Sequence, residues 1–266
     1  MIGVYFSGTG NTKHCIERFM EVYNGSIPVS IESPDAIESI RKSNGIVFGY
    51  PIYFSNTPKI VKDFIAKNCD VFKNKNVYIV CTMGLFSGDG AGCGARLLKK
   101  CGAIVIGGLH LKMPDCIGDV KALKKPLAEN QQIVTGAEQK IKQAAKLLMK
   151  GDATKEGLSI FHHIAGLFGQ RLWFYGKTMH YTDKLKIDGK KCTGCGKCVA
   201  LCSMSNLELT DQKALAGNKC TMCYRCINRC PNKAITLLGR AVIEQCFVEK
   251  YIAIKPNSSV LIGNDI

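Results

Sequence analysis

The sequence predicts an α/β fold in which a doubly wound, five-stranded parallel sheet is followed by a smaller, cysteine-rich domain. Three observations predict this arrangement. Short β-rich runs alternate with amphipathic helical stretches through residues 1–150, two of those runs are continuously apolar, and eight cysteines cluster beyond residue 190. Strict alternation of strand and helix is typical of a parallel sheet with right-handed crossovers.

The elements of the sheet follow in chain order. Strands are predicted at residues 2–6, 27–30, 45–49, 76–82 and 103–107. Helices are predicted at residues 11–23, 34–42, 58–67, 91–101 and 126–150. The unbroken apolar runs at 46–48 and 77–81 indicate the buried centre of the sheet. Ligands of such sheets bind beyond the carboxyl ends of the strands, so the loops there carry the candidate site.

The loop after the first strand combines glycines with small hydroxyl residues and opens a helix. Its residues are Ser7, Gly8, Thr9, Gly10, Asn11 and Thr12. Backbone N–H groups at such a helix start converge on an anion, and the hydroxyls add hydrogen bonds. The loop is neither a Walker loop nor a G-x-G-x-x-G loop. The sequence therefore predicts a phosphate site, with an ordinary capped glycine turn as the alternative.

Two later loops favour a flat aromatic ligand at the same edge. The first contributes Pro51, Ile52, Tyr53, Phe54, Ser55 and Asn56, and the second contributes Thr82, Met83, Gly84, Phe86, Ser87, Gly88 and Asp89. Aromatic residues flanked by proline and small polar residues suit a ring that is stacked and hydrogen-bonded at its edge. The alternative is that Tyr53 or Phe54 only packs on the surface.

The eight clustered cysteines form two runs with the spacing C-x2-C-x2-C-x3-C. The runs are Cys192, Cys195, Cys198 and Cys202, then Cys220, Cys223, Cys226 and Cys230. In this bacterial pattern the fourth cysteine of each run ligates the cluster of the other run. Structural zinc and disulfides are the alternatives, but the third cysteine of each run is surplus to paired zinc motifs. The pattern predicts two [4Fe–4S] clusters.

The other seven cysteines show no pairing pattern, and we expect free thiols, several of them buried. They are Cys15, Cys69, Cys81, Cys93, Cys101, Cys116 and Cys246.

These motifs carry a resemblance to two known families. Residues 1–150 resemble flavodoxin, whose S/T-x-T-G-x-T loop matches Ser7 to Thr12 position by position, and residues 184–238 resemble the bacterial two-cluster ferredoxin. The whole chain is similar to the flavodoxin–ferredoxin fusion proteins of anaerobic bacteria and archaea. The resemblance implies a flavodoxin-like sheet, a small α+β two-cluster ferredoxin domain, and FMN with its phosphate at Ser7 to Thr12. It places the isoalloxazine between the two later loops.

The resemblance has one departure in the cluster motif. Cys202 is followed by Ser203, where ferredoxins usually have proline, whereas its counterpart Cys230 keeps Pro231. We expect the ligand to be retained, whereas the local backbone and the potential of that cluster do not follow from the family pattern.

Four segments are expected along the chain. Residues 1–150 form the flavodoxin-like FMN-binding domain, and residues 151–183 form a helical connecting segment that packs on a neighbouring domain or mediates a possible homodimer. Residues 184–239 form the 2[4Fe–4S] ferredoxin domain, and residues 240–266 form a C-terminal tail to which the sequence assigns no role.

Crossed ligation assigns Cys192, Cys195, Cys198 and Cys230 to one cluster and Cys202, Cys220, Cys223 and Cys226 to the other. The predicted function is an electron-transfer protein that relays low-potential electrons between clusters, FMN and external redox partners. No catalytic residue is required for that role. The alternative is an FMN-dependent oxidoreductase that reduces a quinone, a nitro compound or oxygen, with Tyr53, Ser55 or Asp89 as the proton donor. A redox sensor is a third class, for which the sequence offers no signalling domain.

Charge and hydropathy indicate the partners and the compartment. The formal net charge is +15, and the basic residues are spread along the chain rather than massed on one arm. This distribution favours acidic redox partner proteins over nucleic acid. The chain shows neither a signal peptide nor an apolar run long enough for a membrane span, so we expect a cytoplasmic protein.

Overall fold

A five-stranded parallel sheet organises the first part of the chain. The computed structural model describes residues 1–54, 56–86, 88, 90–159 and 183–252. The strands are β1 (Ile2–Tyr5), β2 (Val29–Ser30), β3 (Gly45–Pro51), β4 (Asn76–Met83) and β5 (Ile104–Lys112). Their order is β2-β1-β3-β4-β5, and every neighbouring pair is parallel. This is the flavodoxin-like order of a doubly wound sheet, so the predicted fold class is confirmed.

Five helices cover the two faces of this sheet. They are α1 (Asn11–Tyr23), α2 (Ala36–Lys42), α3 (Lys59–Lys67), α4 (Gly90–Lys100) and α5 (Leu127–Met149). One core cluster joins α1 and α5 to the sheet, and a second joins the other helices to its opposite face. Each strand and helix predicted for residues 1–150 is present, and most of the bounds agree within about two residues.

Strand β5 is longer than the sequence indicates. The predicted strand stops at residue 107, whereas the observed strand continues to Lys112. The prediction stopped the strand at Gly107 and Gly108, because glycine weakens a strand pattern. A Cβ at Gly107 or Gly108 would lie 2.6 Å from the carbonyl oxygen of Thr154 or Glu156, respectively. These glycines therefore let residues 154–156 hydrogen-bond along the outer edge of β5.

The cysteine-rich part has two short antiparallel sheets and two short helices. Strand β6 (Lys186–Ile187) pairs with β9 (Ile235–Thr236), and β7 (Leu207–Thr210) pairs with β8 (Lys213–Ala216). Helix α6 (Lys197–Ala200) and helix α7 (Arg225–Arg229) carry the third cysteine of each run, Cys198 and Cys226. This arrangement is a small α+β domain with an internal repeat.

The segment after β9 returns to the flavodoxin-like part. Val248 and Tyr251 are buried in the core cluster that contains α1 and α5. The N–H of Val248 also donates to the carbonyl of Thr9 at 3.0 Å. Residues 240–252 are therefore a strap across the first domain, a role that the sequence did not reveal. The remaining residues of the predicted tail lie outside the described residues.

The structure corrects one prediction about the thiols. Cys69 and Cys101, expected to be free, form a disulfide between residues 32 positions apart in sequence. Cys69 lies just after α3 and Cys101 just after α4, and packing brings these two helix ends together with their Cα atoms 4.9 Å apart. The spacing of these two cysteines along the chain does not indicate that proximity. Cys15, Cys81, Cys93 and Cys246 are buried and not disulfide-bonded, as predicted.

Two further expectations concern the connecting segment. Its predicted helix and its possible role in a homodimer fall mostly on residues 160–182, which lie outside the described residues.

None of the helices in the described ranges combines the length and the hydrophobicity that crossing a bilayer requires.

Candidate redox sites

A cavity of about 320 Å³ opens at the carboxyl ends of the sheet strands. We call it the strand-end cavity. It lies where the strand order reverses between β1 and β3, the usual place for a ligand in this fold. Thirteen residues predicted from the three loops line it together: Ser7, Gly8, Thr9, Asn11, Thr12, Pro51, Ile52, Tyr53, Phe54, Thr82, Met83, Gly84 and Phe86.

Six other predicted residues do not take part in the described lining. Among the described residues, Gly10, Asn56 and Gly88 lie in the same loops without lining the cavity. Gly10 has a φ of 95° and starts α1, and Asn56 exchanges two backbone hydrogen bonds with Tyr53 across a tight turn. Ser55, Ser87 and Asp89 lie outside the described residues.

The cavity also has walls that the sequence did not reveal. Those residues are Pro114, Asp115, Cys116, Ile117, Leu123, Met222 and Tyr224, and Leu85 joins them from within the predicted loop after β4. The loop after β5 supplies five of them, and it was overlooked because β5 was predicted to end too early. Met222 and Tyr224 come from the cysteine-rich domain, and nothing in the local sequence predicts that they meet the sheet.

The loop after β1 is arranged to offer donors to an anion. The carbonyl oxygens of Ser7, Gly8 and Thr9 accept hydrogen bonds from Arg225 and Val248, so the C-terminal part of the chain engages them. The amides that follow lie in the first turn of α1, where N–H groups have no intrahelical partner. The Oγ of Ser7 is buried without a hydrogen-bond partner in the described structure. These features fit a phosphate group.

Two titratable groups in the strand-end cavity have shifted pKa values. Burial raises the pKa of Asp115, although the N–H of Ile117 donates to its carboxylate at 2.8 Å. Burial also raises the pKa of Tyr53 well above its ordinary value, with nearby Cys116 adding to the effect. Tyr53 therefore stays protonated at neutral pH, and the Asp115 carboxyl holds its proton to a higher pH than an exposed aspartate.

The eight clustered cysteines surround two small cavities. Cys192, Cys195, Cys198 and Cys230 line the first cysteine cavity. Cys202, Cys220, Cys223 and Cys226 line the second cysteine cavity. These are the two sets that crossed ligation predicts, because the chain returns the fourth cysteine of each run to the opposite cavity. Four thiols around one space are the donor set of a [4Fe–4S] cluster.

Backbone amides support the thiols of both cavities. The N–H of Ala214 donates to Cys192 Sγ at 3.4 Å, and the N–H of Met222 donates to Cys220 Sγ at 3.3 Å. The fourth cysteine of each run accepts from the residue four positions later at 3.3 Å. Such N–H···S bonds stabilise thiolate ligands and influence cluster potentials.

The second cysteine cavity lies directly beside the strand-end cavity. Met222 and Tyr224 line both of them, on either side of Cys223. Both residues adopt left-handed backbone conformations, with φ values of 59° and 58°. The approach is so close that a Cβ at Gly8 would collide with the carbonyl oxygen of Cys223. The phosphate-type loop and one cysteine run are therefore neighbours.

Arg225 stabilises this contact between the phosphate-type loop and the second cysteine run. Its guanidinium donates to both carboxylate oxygens of Glu32 at 2.8 and 2.6 Å, and to the carbonyl oxygens of Ser7 and Gly8 at 2.7 and 3.3 Å. Bidentate, charge-assisted hydrogen bonds of this kind fix geometry as well as adding stability. Hydrogen bonding to Glu32 raises the pKa of Arg225, so the guanidinium remains charged.

Asp119 provides a second attachment between the two domains. Its Oδ2 accepts from the N–H groups of Leu237, Leu238 and Gly239 at 2.8, 3.0 and 3.0 Å. Its Oδ1 accepts from the hydroxyl of Tyr224 at 3.1 Å. Asp119 is buried, and these four bonds satisfy its carboxylate.

Comparison with known domains agrees with this geometry. Residues 2–100 match the family model described as "Flavodoxin domain", and residues 184–231 match the one described as "4Fe-4S dicluster domain". The chain thus joins a flavodoxin domain to a dicluster domain, as in a flavodoxin–ferredoxin fusion. The two domains support a redox role in electron transfer, with a flavin in the first and iron–sulfur clusters in the second.

Solved flavodoxin structures are similar to about half of the chain. A flavodoxin from the domain Archaea shares 14% identity, with 55% of this chain and 95% of that chain covered and a TM-score of 0.39. The two-electron reduced Megasphaera elsdenii flavodoxin shares 21% identity, with 55% and 99% covered and a TM-score of 0.40. Oxidised flavodoxin 2 from Bacillus cereus shares 15%, with 56% and 97% covered and a TM-score of 0.41. A comparison with curated proteins found no match.

Proposed function

We propose that the protein is an electron carrier in which FMN in the strand-end cavity exchanges low-potential electrons with two [4Fe–4S] clusters, one in each cysteine cavity. A single observation carries this proposal. Met222 and Tyr224 line both the strand-end cavity and the second cysteine cavity, so the two candidate sites share a wall. Proximity of this kind replaces a diffusional encounter between separate proteins.

The residues that would hold each group follow from the lining. Ser7, Gly8, Thr9, Asn11 and Thr12 would hold the FMN phosphate, and the loops after β3 and β4 would hold the ring. The two sets of four cysteines would ligate the clusters. When bound, the clusters exchange single electrons and FMN exchanges one or two. The contribution of the chain is to hold the groups at a fixed separation, through Arg225 and Asp119.

The surroundings of the first cysteine cavity suit an acidic redox partner. Cys195 is exposed, and Lys191 and Lys197 line the cavity beside it. Positive charges around an exposed centre attract an acidic protein and increase its association rate. The first cysteine cavity is therefore the proposed point of exchange with external proteins, and this exchange should weaken as ionic strength rises.

The test is a count of cofactors followed by a kinetic measurement. Protein purified without oxygen should contain about eight iron and eight sulfide per chain and release FMN rather than FAD. Stopped-flow reduction by a one-electron donor should then reduce flavin and clusters in coupled phases. A sample that retains both groups but never exchanges electrons between them would contradict the proposal.

A second candidate function rests on Asp115. This carboxyl lines the strand-end cavity with a raised pKa, so it could supply a proton to a small substrate beside the flavin. The protein would then be an FMN-dependent oxidoreductase acting on a quinone, a nitro compound or oxygen. Steady-state reduction of such acceptors, abolished by Asp115→Asn, would favour this function over the carrier role.

A further inference from the structure

The second cysteine cavity is surrounded by hydrogen-bond donors that have no partner. Six side-chain nitrogen or oxygen atoms in the described residues are buried and unpartnered. Three of them, Ser203 Oγ, Asn206 Nδ2 and Thr221 Oγ1, belong to residues that line this one cavity. Because an unmade buried hydrogen bond costs about 1–3 kcal/mol, such a group indicates a partner other than the protein.

Two of these three donors have no counterpart in the first cysteine cavity, although the two cavities are related by the internal repeat. Aligning the two cysteine runs pairs Ser203 with Pro231 and Asn206 with Ala234. Pro231 and Ala234 line the first cysteine cavity, and neither side chain can donate a hydrogen bond.

The third pair, Thr221 and Thr193, differs in surroundings rather than in chemistry. Thr221 is buried and its hydroxyl has no partner, whereas Thr193 is exposed and its Oγ1 accepts from Asn232 at 3.3 Å. The supporting backbone bonds at the fourth cysteines are equal at 3.3 Å. The asymmetry between the two cavities therefore resides in side-chain donors.

Asn206 shows which of its atoms is available. Its Oδ1 accepts from the backbone N–H of Lys219, which leaves the Nδ2 group as the unpartnered donor. Its backbone N–H already donates to Cys202 Sγ. Asn206 thus directs one donor to a ligand sulfur and retains a second donor at the same cavity.

We propose that Ser203, Asn206 and Thr221 donate hydrogen bonds to sulfur atoms of the cluster in the second cysteine cavity, and thereby raise its reduction potential above that of the other cluster. The proposal rests on the proposed function, because it requires both clusters. Each reduction adds one negative charge to a cluster, so donors aimed at its sulfurs stabilise the reduced form more than the oxidised form. When the two clusters share a single electron, it passes from the first cluster, which is oxidised, to the second cluster, which is reduced. At equilibrium the electron therefore resides on the cluster beside the strand-end cavity.

The experiment is a potentiometric titration followed by EPR on the full-length protein, purified without oxygen. The test variant is Ser203→Ala/Thr221→Val, which removes two hydroxyls with little change in shape. We expect this variant to lower the reduction potential of the cluster in the second cysteine cavity and to leave the potential of the other cluster unchanged. The expected change in the electron distribution between the clusters is at least tenfold, which corresponds to about 59 mV for a one-electron couple.

Two further variants make the test specific. Thr193→Val removes the equivalent hydroxyl at the first cysteine cavity and should shift neither potential. Pro231→Ser introduces a hydroxyl there and should raise the potential that the double variant leaves unchanged. If the double variant loses iron, Ser203→Ala and Thr221→Val are measured singly.

The outcomes separate this inference from the proposed function. Full iron content with both potentials unmoved in the Ser203 and Thr221 variants overturns the inference, as does an equal shift in Thr193→Val. The proposed function survives either result. A chain that binds no cluster defeats the proposed function itself.

Discussion

Arg225 shows how one side chain can serve two domains. It lies between Tyr224 and Cys226, at the start of the short helix that carries Cys226 into the second cysteine cavity. Its guanidinium reaches Glu32 and the carbonyls of the phosphate-type loop. Because the pair is only partly exposed, losing the arginine leaves polar groups of the other domain without partners.

We expect Arg225→Gln to destabilise the protein by about 2 kcal/mol and to weaken flavin binding. Arg229→Gln is the matched control, because Arg229 pairs with Glu249 in a more exposed position, where ion pairs contribute little. Melting temperature and flavin titration measure both effects. Equal losses in the two variants would show that Arg225 has no special role at the interface.

Asp115 gives a pH dependence of defined sign. Burial raises its pKa above the ordinary value of 3.8, so its favourable contribution to stability is present below pH 3.8 and is lost as pH rises through the folded-state value. Ionisation also places negative charge in the strand-end cavity, which opposes flavin reduction. We expect the Asp115→Asn variant to be at least as stable as the parent at pH 7. We also expect its bound flavin to have a higher reduction potential at pH 7 than the flavin of the parent. A potential that is equal in both proteins from pH 5 to pH 8 would contradict this.

At the scale of elements, the loop after β1 is packed from two sides. One side carries the amides at the start of α1, and the other side touches the cysteine-rich domain at Cys223 and the strap at Val248. Gly8 and Gly10 therefore serve contact with the rest of the chain as well as close approach to a ligand. From the sequence alone only the second use was apparent.

A pair of glycine substitutions tests this packing. Gly8→Ala introduces a Cβ that collides with the Cys223 carbonyl, so we expect flavin affinity to fall at least tenfold and electron exchange with the clusters to slow. Gly136→Ala lies in α5, where the new Cβ meets nothing within 4 Å, and should stabilise the protein by about 0.8 kcal/mol. Thermal unfolding and flavin titration report both, and an unimpaired Gly8→Ala protein would refute the close contact.

The elements also show how far sequence reasoning extends. The cysteine sets and the Ser7 to Thr12 loop are recognisable because each chemistry requires ligands at short, regular spacing. The walls formed by Met222, Tyr224 and the loop after β5 were missed. Their positions depend on packing between distant segments, which leaves no periodicity or spacing in the chain. The Cys69–Cys101 disulfide escaped for the same reason.

For the whole molecule, the three cavities form an ordered series. Helices α6 and α7 lead from one cysteine cavity to the other, since each begins beside one set of four cysteines and ends near a cysteine of the other set. The second cysteine cavity then shares Met222 and Tyr224 with the strand-end cavity. Within the described structure, no residue lines both the first cysteine cavity and the strand-end cavity. The second cysteine cavity therefore lies between the first cysteine cavity and the strand-end cavity.

The rate of electron exchange between flavin and clusters, measured by stopped flow at several protein concentrations, decides whether this series acts within a single chain. The shared wall predicts a first-order rate that does not change when the concentration is varied tenfold. A rate that rises in proportion to concentration would mean that electrons pass between molecules, and it would contradict the intramolecular arrangement.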